Sequence, residues 1–269
     1  MTKIQIVEPS GAFPPVTDAW DASSPAPGLL AAGNSLNVSL LQKAYAQGIF
    51  PWFSEGQPVL WWSPDPRMVL QTGQFRLHAS LRKTLQKFIR APHCEIRFDT
   101  AFESVIGACA YRVAPSAPAG GPAKAEPGKG TWILPSMISA YVALHHAGNA
   151  HSVETWVNGK LVGGLYCVAL GKAVFGESMF SHQTDSSKIA LAALVAFCRA
   201  HSIEKIDCQQ NTGHLASLGA AEMPRADFIA AITQSQSLPA PVWKFDARYW
   251  QNLLKDPSLA TPVYTLPAA

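Results

Sequence analysis

The stretch from Val174 to Gln209, VFGESMFSHQTDSSKIALAALVAFCRAHSIEKIDCQ, constrains this chain more than any other. It predicts a strand, a polar connector, a buried helix and a second short strand. Val174, Phe175, Met179 and Phe180 give the first strand its apolar and aromatic content, and Gly176 interrupts it. A glycine inside a strand marks a bulge or a close backbone approach. Thr184, Asp185 and Ser186 are all competent to cap the helix that follows. From Ile189 to Phe197 that helix is apolar all round, so it belongs inside the protein, against a sheet. The closing IDCQ places Asp207 and Gln209 at i and i+2, on one face of a strand, with Cys208 on the other. Two polar side chains leaving an apolar unit together are either a capped strand end or a site.

The 269 residues, 48% of them hydrophobic, suffice for one large domain or two modest ones. A net charge of +3 permits nucleic-acid binding without demanding it. There is no run of eighteen apolar residues, and MTKIQIVEPSGAF lacks the apolar core of a signal peptide, so a cytoplasmic protein is expected. Cys94, Cys109, Cys167, Cys198 and Cys208 are odd in number and never form CxxC, which fits free thiols in a reducing compartment. Cys198, His201, Cys208 and His214 superficially suggest a metal set. Their spacing matches no zinc pattern and Cys198 lies in the buried helix, so no metal is expected.

In chain order, a proline-rich lead precedes a capped amphipathic helix over 35–48, with Leu40, Leu41 and Tyr45 as its apolar stripe and Gly48 at its stop. Residues 48–70 pack three tryptophans and four prolines into 23 positions. Trp61 and Trp62 read as core there. Trp52, fixed by Pro51 and followed by turn residues, reads as a displayed indole. Between residues 76 and 90 lie Arg76, Arg82, Lys83, Lys87 and Arg90 without one acid. On a helix from Ser80, Leu81, Leu85 and Phe88 form one stripe and Lys83, Lys87 and Arg90 another, a candidate phosphate-binding face.

CEIRF (94–98) reads as a strand, and Thr100 with Glu103 as a capping box for a helix to about Ala110. Residues 113–130 are Pro, Ala and Gly with little else, a surface loop and a domain boundary. A helix over 136–147 ends in His145 and His146, which suit a helix C-terminus without any chemistry. SVETWV, Asn158-Gly159 and KLVGGLYCVAL form a hairpin, since Asn-Gly is the strongest two-residue type I′ signal. A reversal at Gly171-Lys172 leads into the central stretch. Helices follow at 214–220 and 225–234, then a strand at VWKF (242–245) and a loose tail after Asp256.

Taken together, GLLAAGNSL, the GIFPWFSEGQPVLWWSPDPR block, GTWI, AHSVE, LVGGLY, GESMFS, SSKIAL, IDCQ and HLASLGA resemble, in this order, the bacterial leucyl/phenylalanyl-tRNA–protein transferases. The resemblance covers roughly 28–230. It departs in a longer 114–129 loop, in Gly33-Asn34-Ser35 where Gly-Gly-Asp is common, and in Leu165 and Cys167 where Met and Gly are frequent.

It implies transfer of leucine or phenylalanine, and less well methionine, from aminoacyl-tRNA to the N-terminal amine of proteins beginning with Arg or Lys, marking them for degradation. It implies an α+β fold: a small N-terminal domain (1–112), the 113–130 loop, and an acetyltransferase-like (GNAT-like) domain (131–269), without metal or diffusible cofactor. A monomer is expected. By the same resemblance Gln209 holds the incoming amine and Asp207 orients Gln209. Leu165, Gly176, Glu177, Leu191, Leu194 and Ile206 line the donor pocket, and Trp52 and Trp132 contact the terminal adenosine. On their charge, and not by the resemblance, Arg76, Arg82, Lys83, Lys87 and Arg90 are the candidate contacts to tRNA phosphates. An acyl-CoA-dependent transferase would place a glycine-rich turn before the central helix, and SHQTDSS has no glycine. A non-catalytic RNA-binding module would leave Glu177, Asp207 and Gln209 unexplained.

Overall fold

A computed structural model describes residues 4–111 and 133–254. The expected 113–130 loop, Trp132 and the tail after Asp256 lie outside the described residues.

The chain opens with β1 (Gln5–Val7), β2 (Leu29–Gly33), α1 (Val38–Ala46), β3 (Phe50–Pro51) and β4 (Val59–Trp62), which make a four-stranded sheet ordered β1-β2-β4-β3. The side chain of Asn37 caps α1 by accepting from the Leu40 N–H at 2.9 Å, and Leu40, Leu41 and Tyr45 are buried, as the pattern predicts. Trp61 is wholly buried in the sheet's core.

Next come β5 (Arg67–Gln71), α2 (Ala79–Arg90), β6 (Cys94–Phe98), α3 (Phe102–Ala110) and α4 (Pro135–His146). They are followed by β7 (Ala150–Val157), β8 (Lys160–Leu170) and β9 (Ala173–Ser181). The chain then runs through α5 (Ser186–Ala200), β10 (Lys205–Gln209), α6 (Gly213–Ser217), β11 (Ala221–Met223), α7 (Arg225–Gln236) and α8 (Gln251–Leu254). The second sheet has seven strands, ordered β11-β5-β10-β9-β8-β7-β6. The expected split at 113–130 does not follow this sheet: β5 and β6 precede residue 112 and pair with strands that follow it. Hydrogen-bond ladders join strands by register in space, which local composition does not report.

Strand alternation divides the core. Leu165, Cys167 and Ala169 of β8 face a cluster with α5, while Tyr166 and Val168 face α3 and α4 on the opposite side. The Asn158-Gly159 reversal has both residues at positive φ, 51° and 69°, as a type I′ turn requires. Gly163 is needed for close approach: a Cβ there would lie 2.2 Å from Ser186 Oγ. That hydroxyl donates to the Val162 and Gln183 carbonyls at 2.8 and 2.7 Å, seating the start of α5 against β8.

Three local expectations are corrected. Asp185 occupies the N-cap position of α5 at φ 63°, but its side chain makes no cap bond and pairs with Lys188 at 2.8 Å. Ser181 Oγ instead accepts from the Ser187 N–H at 3.1 Å. No capping box forms at Thr100–Glu103, because the Glu154 carboxylate takes the Thr100 and Ala101 N–H groups at 2.9 and 2.7 Å. Residues 242–245 are not a strand; Trp243 stacks on His151 with centroids 4.0 Å apart, and Phe245 packs on Phe98. Alternating aromatics there answer to aromatic packing rather than to a ladder.

Candidate active site

The site forms where β9 and β10 part. These strands run parallel and pair only at Ile206↔Val174 and Asp207↔Phe175. On its other edge β9 is paired to β8, and the register jumps from Tyr166↔Ser178 to Cys167↔Gly176. Glu177 is therefore the extra residue of a bulge, which re-aims its side chain. Gly176 permits the close approach of β10, since a Cβ on it would sit 3.3 Å from the Asp207 carbonyl.

A cavity of about 290 Å³ opens at this divergence. Leu165, Gly176, Glu177, Leu191, Leu194 and Ile206 line it with Asp207, so the six expected pocket residues converge on one space. Tyr166, Met179, Cys208 and Leu215 add apolar wall, and Thr212 and His214 a polar margin. The volume is at the small end of ligand sites, which run roughly 300–1,000 Å³, and suits a single side chain.

Glu177 is held by three donors. Tyr45 Oη and Gln209 Nε2 reach its Oε1 at 2.7 and 2.8 Å, and Tyr141 Oη reaches Oε2 at 3.2 Å. The two phenols also contact each other at 2.5 Å. Glu177 is half-buried and lines the pocket. Loss of hydration pushes its pKa from 4.5 up to about 8, the Tyr45 and Gln209 bonds pull it back, and Asp207 pushes it further up. Burial likewise holds both phenols well above their usual range, leaving them as donors.

A group whose folded pKa is raised binds more protons folded than unfolded, so its contribution to stability is complete below pH 4.5 and lost as pH rises towards 8. Wild type is therefore expected to lose stability relative to Glu177→Gln between pH 4.5 and 8, by on the order of a few kcal/mol. Urea midpoints of both proteins across that range check it; parallel curves would contradict it.

Asp207 and Gln209 do come together, though not by strand alternation. The β10–β5 register skips Cys208, and Gln209 adopts a left-handed φ of 62°. Asp207 Oδ1 accepts the Gln209 backbone N–H at 2.9 Å, so the aspartate fixes the main chain of Gln209 rather than its amide. Arg67 grips the Asp207 carboxylate with two parallel bonds, Nε–Oδ1 2.8 Å and Nη2–Oδ2 2.7 Å. Nothing in the SPDPR run singles out Arg67, and the apolar stripe of α1 presents Tyr45 as core. The signal available for Tyr45 was that a buried phenol needs a hydrogen-bond partner.

Trp52 is exposed at 38% and sits beside Trp62 with ring centroids 5.5 Å apart, outside the cavity lining. In α2, Leu81, Leu85 and Phe88 face inward, while Lys83, Lys87 and Arg90 line one shallow exposed face. Arg82 is exposed on α2 outside that lining and Arg76 precedes the helix, so three of the five basic residues line this surface.

A family model for the leucyl/phenylalanyl-tRNA protein transferases matches residues 69–233, more than half of the chain, and the model of that family's N-terminal domain matches 34–65. The chain belongs to this family. A leucyl/phenylalanyl-tRNA–protein transferase of Polaromonas sp. (strain JS666 / ATCC BAA-500) is 64% identical over 242 residues, covering 90% of this chain and 91% of the relative. One of Albidiferax ferrireducens (strain ATCC BAA-621 / DSM 15236 / T118) is 58% identical over 257 residues, covering 95% and 96%. The family match spans the site from Arg67's neighbours in β5 through β9, α5 and β10.

Proposed function

We propose that this chain transfers leucine or phenylalanine, and methionine less well, from aminoacyl-tRNA to the N-terminal α-amine of proteins beginning with Arg or Lys. The observation that carries this reading is an apolar cavity sized for one side chain, lined by Glu177 and Asp207 and with Gln209 bonded to Glu177, in a member of this family. An aminoacyl ester is already activated, and an α-amine with a pKa near 7.7–8.0 is partly neutral at pH 7. Alignment of amine and carbonyl is then the main requirement, and it supplies roughly 7–11 kcal/mol in favourable cases. The donor side chain fills the cavity between Leu165, Leu191, Leu194 and Ile206. Gln209 presents its amide to the incoming amine, and Glu177 receives an ammonium, either the donor's or that of the basic acceptor residue.

The domain carrying the site is acetyltransferase-like in this reading. Its support is the antiparallel run β7-β8-β9, the buried α5 and a β10 that pairs with β9 over two residues before the strands part. Ser181 Oγ already occupies the Ser187 N–H at the start of α5, where a CoA pyrophosphate would otherwise bind. Free cysteines among the described residues suit a cytoplasmic protein.

The exposed indole of Trp52 offers a stacking surface for the terminal adenosine, worth about 1–3 kcal/mol. Lys83, Lys87 and Arg90 meet the tRNA backbone. Replacing all three by alanine is expected to weaken Leu-tRNA and Phe-tRNA binding alike. Each lost contact should reduce the log–log salt slope by about 0.7–0.9. An unchanged slope in the triple variant would move the tRNA off this face.

The acceptor half of the proposal is tested with Phe-tRNA and two otherwise identical proteins, one starting with Arg and one with Asp. Label is expected on the Arg-starting protein alone, and equal labelling would refute acceptor selection.

A further inference from the structure

Arg67 has no exposed surface, and it stands where three parts of the protein meet. Its guanidinium carbon lies 4.7 Å from the ring centroid of Phe50 in β3 and 4.7 Å from that of Phe228 in α7. Its two-bond grip on Asp207 reaches into β10, and Nη1 has no hydrogen-bond partner among the described residues. Two rings and a carboxylate thus fix the plane of a guanidinium that makes no other hydrogen bond among the described residues. A buried ion pair is weak support for a fold, because apolar residues of similar volume often serve as well. The pair calls for another reason, and the geometry beyond it supplies one. Asp207 Oδ1 also accepts the backbone N–H of Gln209, at 2.9 Å. Gln209 holds φ at 62°, a region that a glutamine seldom adopts unless its surroundings impose it. From that backbone its Nε2 reaches Glu177 Oε1 at the pocket, at 2.8 Å.

We propose that Arg67 is a positioning residue for aminoacyl transfer: through Asp207 it holds Gln209 in the conformation that presents its amide to the reacting groups. This rests on the site assignment above. Arg67 touches neither the cavity nor Glu177 and acts only through the carboxylate. Lysine keeps the charge but has no planar fork, so it cannot restore the two parallel bonds. The expected consequence is a slower chemical step with donor binding retained, since displacement by about 1 Å at a reacting group can cost on the order of 10²-fold.

The experiment compares wild type, Arg67→Lys, Asp207→Asn and the neutral pair Arg67→Gln/Asp207→Asn. Single-turnover transfer from Phe-tRNA to an Arg-starting protein is measured where each is folded by circular dichroism, together with Phe-tRNA affinity. Arg67→Lys is expected to slow transfer by about 30-fold or more while affinity stays within about threefold. The neutral pair is expected to match Asp207→Asn within about threefold, because an asparagine amide nitrogen can no longer accept the second bond of the two-bond grip through which Arg67 acts. A folded Arg67→Lys within about threefold of wild type overturns the proposal, as does a neutral pair far slower than Asp207→Asn. Should Arg67→Lys not fold, the neutral pair decides: a rate near that of wild type overturns the proposal and a rate near that of Asp207→Asn upholds it. Failure of wild type to transfer at all would instead refute the proposed function.

Discussion

Gln209→Ala is expected to lower the transfer rate by about 10²-fold or more, with aminoacyl-tRNA affinity nearly unchanged. Gln209 Nε2 is 2.8 Å from Glu177 Oε1, and its backbone is pinned by Asp207. Truncation removes the amide but leaves the apolar wall of the cavity, which is built from Leu165, Leu191, Leu194 and Ile206. The donor should therefore still bind while the amine loses its guide. Asp207→Ala should match it in rate and differ in stability. It leaves the Arg67 guanidinium buried without its partner, a defect that costs about 3–5 kcal/mol in comparable cases. Single-turnover rates and urea midpoints on both variants separate the two effects. Rates within a few-fold of wild type in folded protein would remove these residues from the chemistry. Equal midpoints for the two variants would remove the ion pair from the fold.

Glu154→Ala is expected to destabilise the protein by about 2–4 kcal/mol without altering the residues of the pocket. Glu154 is wholly buried on β7, yet its carboxylate sits at the start of α3. It accepts from the Thr100 and Ala101 backbone N–H groups, from Ser152 Oγ at 2.8 Å and from Trp156 Nε1 at 2.9 Å, and it bonds the Thr100 hydroxyl. Each donor stranded away from water costs about 1–3 kcal/mol, reduced here because Thr100 is exposed. The negative group also lies at a helix N-terminus, where it is favoured by the backbone dipoles. For a domain of this size the loss corresponds to a fall in Tm of roughly 5–15 °C. Glu154→Gln should lose less, since one acceptor oxygen remains. A Tm within about 1 °C of wild type for the alanine variant would show that these bonds are replaced by water at no cost.

Glu154 also marks the limit of what was legible in the sequence. The Asn158-Gly159 hairpin and the Asn37-capped α1 were readable, because each is decided by neighbours in the chain. The buried α5 was readable from composition alone. The capping box at Thr100 and Glu103 was a sound local reading that lost to a carboxylate arriving from more than fifty residues away. The pairing of Arg67 with Asp207 spans 140 positions, and nothing near SPDPR announces it. Regular alternation places Asp207 and Gln209 on one strand face, and they meet instead through a bulge and a left-handed residue. The polar pair was visible; the device that joins it was not. Tyr45 is buried as its place in the apolar stripe predicts, but that stripe does not reveal that its hydroxyl reaches Glu177.

The cavity between β9, α5 and β10 is expected to select the transferred residue by its shape. The measurement that tests it is transfer of label from Leu-, Phe-, Met-, Val- and Asp-tRNA to one Arg-starting protein, read as kcat/KM. A cavity walled by Leu165, Leu191, Leu194 and Ile206 should admit apolar side chains unbranched at Cβ and exclude a carboxylate, which would lose its hydration there. Leu and Phe are expected to lead, Met to follow, Val to fall at least about tenfold behind, and Asp to give no product. Comparable values for Val and Asp, or no transfer from Leu or Phe, would contradict it.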